Sequence, residues 1–482
     1  MNFNDYELLI FMSDEHSGLV TGYGGDNAII RTPNLNRIAK DSAVFSQAYT
    51  SSPVCVPARA SFMTGMMASS LGVYNNGNAY SSGEATFIHS LGLAGYETVL
   101  CGRMHFMGLD QRHGFERRIA EDITPTHWGY IYTGAPKLQK GGPHGNETDI
   151  YPIEKNSAYF YDKYVVDKAL EWLSQDHEKK QAMIVGTYMP HMPLGGPEDK
   201  VSYYKDKVLD NFHSLEMDYA FAGPRKRPCY DVMKNRETLR EIRANYYAMV
   251  EAEDERIGQV YDSFCRYLKR NGKKGIFIYL SDHGDQMGEK GYIGKRLFFE
   301  DSERIPLLIQ KIGTDGKPEC GGKKIDTPVS IMDVAPTICS MCGALALPGA
   351  SGRDLSVVFD GKTLEQIPIV SEYFEFDRQS GNVCAGFMVR LKTFKYITYI
   401  GHEDCDLLFD LVSDPYELHN SAGQYPEILN KMYQIVENRR TYISWHMENA
   451  RRLGKNERIL SQWGLAHPAL NETWEMEVQK RA

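Results

Sequence analysis

Glu7–His16 reads ELLIFMSDEH, and Lys274–Asp285 reads KGIFIYLSDHGD. Each is a short apolar run that stops abruptly in acidic and histidine residues. A run of this length, apolar at successive positions and bounded by polar ones, predicts a strand buried on both faces. Strand and helix patterns alternate between the two. Asn34–Asp41 predicts a short helix and Ala43–Tyr49 a strand. Thr86–Ala94 predicts a helix leading through Gly95 into a strand over Glu97–Cys101. Asp162–Ser174 has helical spacing and precedes a strand over Ala182–Thr187. A long amphipathic helix is expected from Arg236 to Arg270. This order predicts an α/β fold: a large, mostly parallel sheet covered by helices on both faces.

In such sheets ligands bind just past the carboxyl ends of the strands. Polar residues occupy that position three times: Asp14 after the first strand, Arg103 and His105 after Cys101, and Asp282 and His283 after Ser281. Clusters far apart in sequence are therefore expected in one crevice. Beyond about Asp360 the texture changes. Ile367–Glu372, Ala385–Leu391, Phe394–Ile400 and Asp406–Asp410 predict short strands, and Tyr425–Asn438 a helix. The expected division is a catalytic α/β domain over 1–365 and a smaller α+β subdomain with a tail over 366–482. Gly134–Thr148 is rich in Gly and Pro and is expected to be a loop near the cleft.

Composition narrows the classes. The chain has 482 residues, 42% of them hydrophobic, and a formal net charge of −9. That is the profile of a globular protein, and no basic block suggests a nucleic-acid track. Leu8–Met12 is too short for a signal peptide, and no run approaches a membrane span, so a cytoplasmic location without membrane attachment is expected. Nine cysteines at irregular spacing read as reduced thiols. Cys339 and Cys342, in the apolar run Ser330–Gly343, read as buried thiols rather than a metal pair.

The run CVPARASFMTG starts at Cys55. It resembles the C-x-P-x-R-x4-T-G motif of type I sulfatases, with Cys55, Pro57, Arg59, Thr64 and Gly65 in place. The resemblance implies a fold of the alkaline phosphatase superfamily. It also implies that a maturation enzyme oxidises Cys55 to formylglycine, an aldehyde that is hydrated in water. Pro57 suits the first turn of a helix, which places the nucleophile at a helix N-terminus that favours negative charge. Asp14, Asp282, His283 and the modified Cys55 match the family's metal ligands, with Glu15 a further candidate. A mostly oxygen set suits a hard divalent ion, calcium first, with manganese or magnesium as alternatives.

The resemblance extends further. CGRMHF matches the family's G-K-x-H with Arg103 in place of lysine, a planar fork in place of a point charge. MPHMP matches P-H-x-P at Pro190, His191 and Pro193. Lys295 precedes a run matching E-x-S-x-R-x-P at Glu300, Ser302, Arg304 and Pro306. Asp410, Leu411, Asp414, Pro415, Glu417 and Asn420 match a C-terminal run. The implied roles are these. Arg59 holds the nucleophile. Arg103 and Lys295 spread the charge of the sulfuryl oxygens. His191 protonates the leaving alcohol. His105 takes a proton when the aldehyde is regenerated.

AGYETVLCGRMHFMGLDQRHGFERRIAEDI resembles the corresponding stretch of choline-sulfatase-like members. A small-molecule sulfate ester is implied as substrate, with choline sulfate and a sulfated sugar as the two candidates. Trp128, Tyr130 and Tyr132 are candidate aromatic faces, and Glu372 a candidate charge for a quaternary ammonium. Lys137 or Lys140 would serve a sulfated sugar. A phosphonate monoester or phosphodiester hydrolase and a silent binding protein of the same fold are the competing classes. The tail Asn456–Ala482 carries two tryptophans. Packing on a second subunit, giving a homo-oligomer, and packing on its own subunit are its two readings.

Overall fold

The structure, a computed structural model, describes residues 6–24, 29–108, 110–124, 149–208, 235–377 and 380–466. The first buried run forms β1 (Tyr6–Asp14). It is followed by α1 (Pro33–Ala39), β2 (Ala43–Phe45), β3 (Ala48–Tyr49), α2 (Cys55–Thr64), α3 (Phe87–Leu93), β4 (Tyr96–Gly102) and β5 (Arg117–Ala120). Then come α4 (Ser157–Leu173), β6 (Lys180–Pro190), α5 (Glu198–Lys205), α6 (Arg236–Asn271) and β7 (Lys274–Ser281). The remaining strands of this half are β8 (Arg304–Ile305), β9 (Leu307–Ile312), β10 (Lys323–Ile325) and β11 (Val329–Ser330), before α7 (Val334–Met341).

Eight strands form the main sheet in the order β10-β2-β9-β7-β1-β6-β4-β5. β1 lies between β6 and β7, parallel to both. β9 runs antiparallel to its neighbours β2 and β7. Its direction is invisible in sequence, because a strand buried on both faces has the same apolar texture either way. The expected strand Ala43–Tyr49 is two short strands, β2 in the main sheet and β3 in a three-stranded sheet with β8 and β11.

Alternate side chains of β1 serve the two faces, as the period of two requires. Leu9 and Phe11 enter the core beneath α4, α5 and α6. Leu8, Ile10 and Met12 enter the opposite core, with Phe62 of α2, Ile88 of α3 and Ile338 of α7. α6 starts at an Asn235 cap and stops at Gly272, which has φ +60°. No helix among the described residues is long and apolar enough to cross a membrane.

A second, antiparallel sheet follows in chain order: β12 (Ile369–Phe376), β13 (Val383–Leu391), β14 (Phe394–Tyr399) and β15 (Leu407–Asp410). One face packs Met388, Ile397 and Phe409 onto Tyr49, Val54 and Phe299 of the first half. The other is covered by α8 (Pro426–Glu437) and α9 (Arg440–Ala466). Trp128, Tyr130, Tyr132, Lys137, Lys140 and the tail beyond Ala466 lie outside the described residues.

Candidate active site

The sheet register sets the site. Ser13 of β1 pairs with Ser281 of β7, and Asp14 pairs with Pro190 of β6. Asp14, Asp282 and His191 therefore leave three adjacent strands at one level. β4 ends beside them, Gly102 opposite Gly186. A Cβ on Gly186 would lie 1.8 Å from the Arg103 carbonyl oxygen, so only glycine lets the chain turn Arg103 across β6. Glu15 sits at φ +67° and His105 at φ +55°. L-residues adopt such conformations only where the surroundings hold them. The Glu15 N–H donates to Asp282 Oδ1 at 3.0 Å, and its carbonyl accepts from the Tyr246 hydroxyl at 2.7 Å.

Cys55 is the first residue of α2, and the Val56 N–H after it donates to Asn76 Oδ1 at 3.0 Å. Every residue of α2 is buried, so the helix fixes its first residue rigidly. Cys55 Sγ lies 3.2 Å from His283 Nε2, 3.2 Å from Lys295 Nζ and 3.7 Å from Asp14 Oδ1. Burial and the Asp14 charge push the thiol up to about 12. Arg59, just over a turn along α2, donates to Asp14 Oδ2 and to Asp282 Oδ2, each at 2.9 Å. Burial works against ionisation of Asp14. Arg103, His191 and Arg59 outweigh it and hold that carboxyl well below its usual range.

Lys295 ties the far side together. Its Nζ lies 3.0 Å from Glu15 Oε2 and 2.7 Å from His191 Nε2. Burial disfavours its charge, but Cys55, Glu15 and Asp14 outweigh that and raise its affinity for a proton. Glu15 is pushed up to about 8 by burial, against the pull of Lys295. His191 donates from Nδ1 to the Met192 carbonyl at 2.7 Å, and burial and Lys295 hold it well below the usual histidine value. His283 Nδ1 faces the Gly284 carbonyl at 3.0 Å, so the proton sits there and Nε2 presents a lone pair.

Arg103 closes the set. Its Nε donates to Asp14 Oδ2 at 2.5 Å, Nη1 to Asp122 Oδ1 and Thr124 Oγ1, and Nη2 to His105 Nδ1 at 2.8 Å. Tyr188 lies beneath the guanidinium, 4.7 Å from ring centre to Cζ. Asp122 also accepts the Met104, His105 and Thr124 N–H groups at 2.7–3.0 Å.

The structure thus brings Asp14, Glu15, Cys55, Arg59, Arg103, His105, His191, Asp282, His283 and Lys295 together. Among the described residues, two groups could each hold a metal ion, with ligand atoms within 4.8 Å of one another: Asp14, Cys55, Asp282 and His283, and Asp14, Glu15 and His191. Glu372 does not join them as a free charge. Its carboxyl is buried and accepts the Ser69 N–H at 2.8 Å beneath α9, so β12 spends it on packing rather than on an open ligand face. Asp122, Thr124, Tyr188 and Asp162 were not singled out from sequence. Asp122 lies two residues past the end of β5, and Asp14 is the last residue of β1, so the strand-end rule applies to both. Asp162 of α4 accepts the Tyr188 and Met189 N–H groups at 2.7 and 2.8 Å, anchoring the chain that carries His191.

Comparison with known proteins agrees with this geometry. The profile of the family described as Sulfatase matches residues 8–344. A second profile, the N-sulphoglucosamine sulphohydrolase C-terminal region, matches residues 288–441. The chain is 31% identical to a choline-sulfatase of Rhizobium meliloti, covering 86% of this chain and 82% of that one. It is 26% identical to an arylsulfatase of Clostridium perfringens, covering 89% and 93%. Among solved structures, BT4656 in complex with its substrate D-glucosamine-2-N,6-O-disulfate has a TM-score of 0.70 at 20% identity, over 91% of this chain and 98% of that one. A phosphonate monoester hydrolase of Agrobacterium radiobacter has a TM-score of 0.67 at 19% identity, over 92% and 96%.

Proposed function

We propose a substrate class and a division of labour from one premise: the chain belongs to the sulfatase family and is a sulfuric ester hydrolase. The substrate proposed is the sulfate monoester of a small alcohol, with choline sulfate the first candidate. The relative at 31% identity supports that choice. The observation that carries the site reading is the position of residue 55. Its side chain meets a carboxylate, an imidazole lone pair and an ammonium within 3.7 Å at a buried helix start.

The donor set fits a divalent cation. Asp14 gives Oδ2 to Arg59 and turns Oδ1 toward residue 55, Asp282 gives Oδ2 to Arg59 while its Oδ1 accepts the Glu15 and His283 N–H groups, and His283 Nε2 faces residue 55. Mostly oxygen donors favour calcium, and the imidazole leaves manganese or magnesium as alternatives. Formylglycine, made from Cys55 by a maturation enzyme that reads the C-x-P-x-R run, and the cation together supply an activated oxygen nucleophile at position 55.

The chain's own residues do the rest. Arg59 fixes both carboxylates and, with Arg103, holds Asp14 ionised. Lys295 and Arg103 place fixed positive charge where the sulfuryl oxygens gather, which counts for most in a site closed to water. His191, oriented by the Met192 carbonyl, and Lys295, whose Nζ lies 2.7 Å from its Nε2, form the pair that would give the leaving alcohol its proton. The test is a panel of matured full-length protein against choline sulfate, an aryl sulfate, a sulfated monosaccharide and an aryl phosphonate monoester. Choline sulfate is expected to give the highest kcat/KM. A higher value for the sugar sulfate redirects the substrate to carbohydrates. A higher value for the phosphonate overturns the proposal.

A further inference from the structure

We infer that Tyr188 is a positioning residue of this site: its one ring packs against both Arg103 and His191 and sets the guanidinium that receives the sulfuryl oxygens against the imidazole that serves the leaving alcohol. The inference rests on the sulfate-ester reading above and adds to it a residue that makes no bond to substrate.

The register of the sheet explains how the ring comes to be there. Met12 of β1 pairs with Gly186 of β6, and Asp14 with Pro190, so residues 187–189 stand opposite Ser13 alone. β6 therefore bulges where β1 ends. A bulge takes residues out of the ladder and re-aims their side chains, which is why bulges gather beside active sites. Backbone N–H groups freed in a buried place need acceptors. The buried Asp162 of α4 supplies them, taking the Tyr188 and Met189 N–H groups at 2.7 and 2.8 Å. α4 also holds the chain beyond His191. Its Asn156 cap donates from Nδ2 to the Pro193 and Gly195 carbonyls at 3.1 and 3.0 Å.

The buried Tyr188 ring has Arg103 Cζ 4.7 Å from its centre and the His191 ring 4.6 Å away between centres, tilted by 47°. The His191 N–H also donates to the Tyr188 carbonyl at 3.1 Å. Arg103 bonds to Asp14, Asp122, Thr124 and His105 through its N–H edge, and His191 meets the Met192 carbonyl and Lys295 through its two ring nitrogens. Hydrogen bonds of a planar group act in its plane, so its tilt is left to packing. Tyr188 supplies that packing to both groups. Misplacing a reacting group by about 1 Å can cost about 10²-fold in rate. The proton donor matters most when the alcohol is a poor leaving group, so loss of the ring should hurt most there.

The test has two arms on the full chain. In the first, Tyr188→Phe keeps the ring and Tyr188→Leu removes it from matured enzyme. On an alkyl sulfate, Tyr188→Phe is expected to keep kcat within about threefold and Tyr188→Leu to lose about 10²-fold. On nitrophenyl sulfate, whose alcohol leaves readily, the leucine loss should shrink to about tenfold. Tyr267→Leu removes a buried ring from the same core beside Glu7, at the start of β1. It should keep kcat per folded molecule within about twofold on both esters, which separates positioning from a general loss of packing. Equal leucine losses on the two esters, or a phenylalanine loss as large as the leucine one, overturn the inference. Tyr188→Met, which refills more of the space without a ring, takes the place of leucine if that protein does not fold. The second arm needs no turnover. The chain carries 13C at histidine Cε1, and the His191 signal is identified by its loss in His191→Gln. The ring current of residue 188 should displace that signal alike in the parent and Tyr188→Phe, and the displacement should go in Tyr188→Leu. A signal that stays in place overturns the inference. If the parent hydrolyses no sulfate ester, the substrate reading fails while this signal still decides whether the ring holds His191.

Discussion

Two of the buried clusters of charge among the described residues are built differently. The first is the strand-end site. There three cations, Arg59, Arg103 and Lys295, converge on Asp14, Glu15 and Asp282, and one imidazole nitrogen, His105 Nε2, has no hydrogen-bond partner among the described residues. The second lies where the antiparallel sheet meets the first half. Lys395 of β14 pairs with Glu300 at 3.0 Å and Glu417 at 2.8 Å. Lys290 pairs with Asp301 at 3.3 Å, and Arg243 with Glu289 at 2.7 Å. The Glu300 N–H donates to Glu417 Oε2 at 2.8 Å, joining the E-x-S-x-R-x-P run to the C-terminal family run. A cavity opens beside this cluster between Leu19, Met287 and Tyr416, and the charges lining it are paired with protein groups. A cluster that satisfies itself fastens two sheets together. A cluster that leaves donors and lone pairs aimed inward is waiting for a cation and an anion.

The contrast predicts that substitutions in the two clusters fail in opposite ways. Cys55→Ser should abolish turnover, with kcat for aryl sulfate falling by at least about 10⁴-fold, since an entire nucleophile is lost. The replacement is small and buried at a helix start that does not depend on sulfur. The thermal midpoint should therefore stay within about 2 °C of the parent. Steady-state activity near the parent level would sink the proposal that residue 55 is converted to the nucleophile.

Lys395→Met should do the reverse. It strands Glu300 and Glu417 without their shared cation, and breaking a buried ion pair costs about 3–5 kcal/mol. The thermal midpoint should fall by about 3–5 °C, with kcat per folded molecule within about twofold of the parent. Adding Glu300→Gln and Glu417→Gln should recover part of the loss, because the stranded charges are then gone. A Lys395→Met protein of unchanged stability would show that this cluster fastens nothing.

The two clusters also differ in how well the sequence announced them. Asp14, Arg103, His105, Asp282 and His283 follow apolar runs, so strand periodicity alone puts them at one edge of a sheet. Asp122 escaped because β5 has only four residues, one exposed and one fully buried, and so no apolar signature. Glu372 drew attention as an acid in an apolar strand. Nothing in VSEYFEF tells that Ser69 and α9 cover that position. The second cluster was illegible for another reason. Glu300, Lys395 and Glu417 lie far apart in sequence, and no local pattern records that two sheets meet there. β9 shows the same limit, since burial on both faces hides which way a strand runs.

His446 shows how the second sheet's packing itself responds to pH. It lies on α9 against Tyr74, whose hydroxyl is 2.7 Å from Nδ1 and also accepts the Asn449 side-chain N–H at 2.9 Å. The hydroxyl proton therefore points at Nδ1, which presents a lone pair. Tyr442 and Trp445 flank the ring at 4.0 and 4.6 Å between centres. Burial lowers His446 to about 4, against about 6.5 for a free histidine. The unfolded chain thus takes up a proton between those values while the folded chain does not. The stabilisation is complete above about pH 6.5 and is lost as the pH falls toward 4. Asparagine can offer Tyr74 an oxygen where Nδ1 stood, without titrating. The thermal midpoint of the parent should accordingly fall by about 2 °C more than that of His446→Asn between pH 7 and pH 4.5. Parallel curves for the two proteins would mean that the histidine titrates alike in both states, and that the contact with Tyr74 does not hold it neutral.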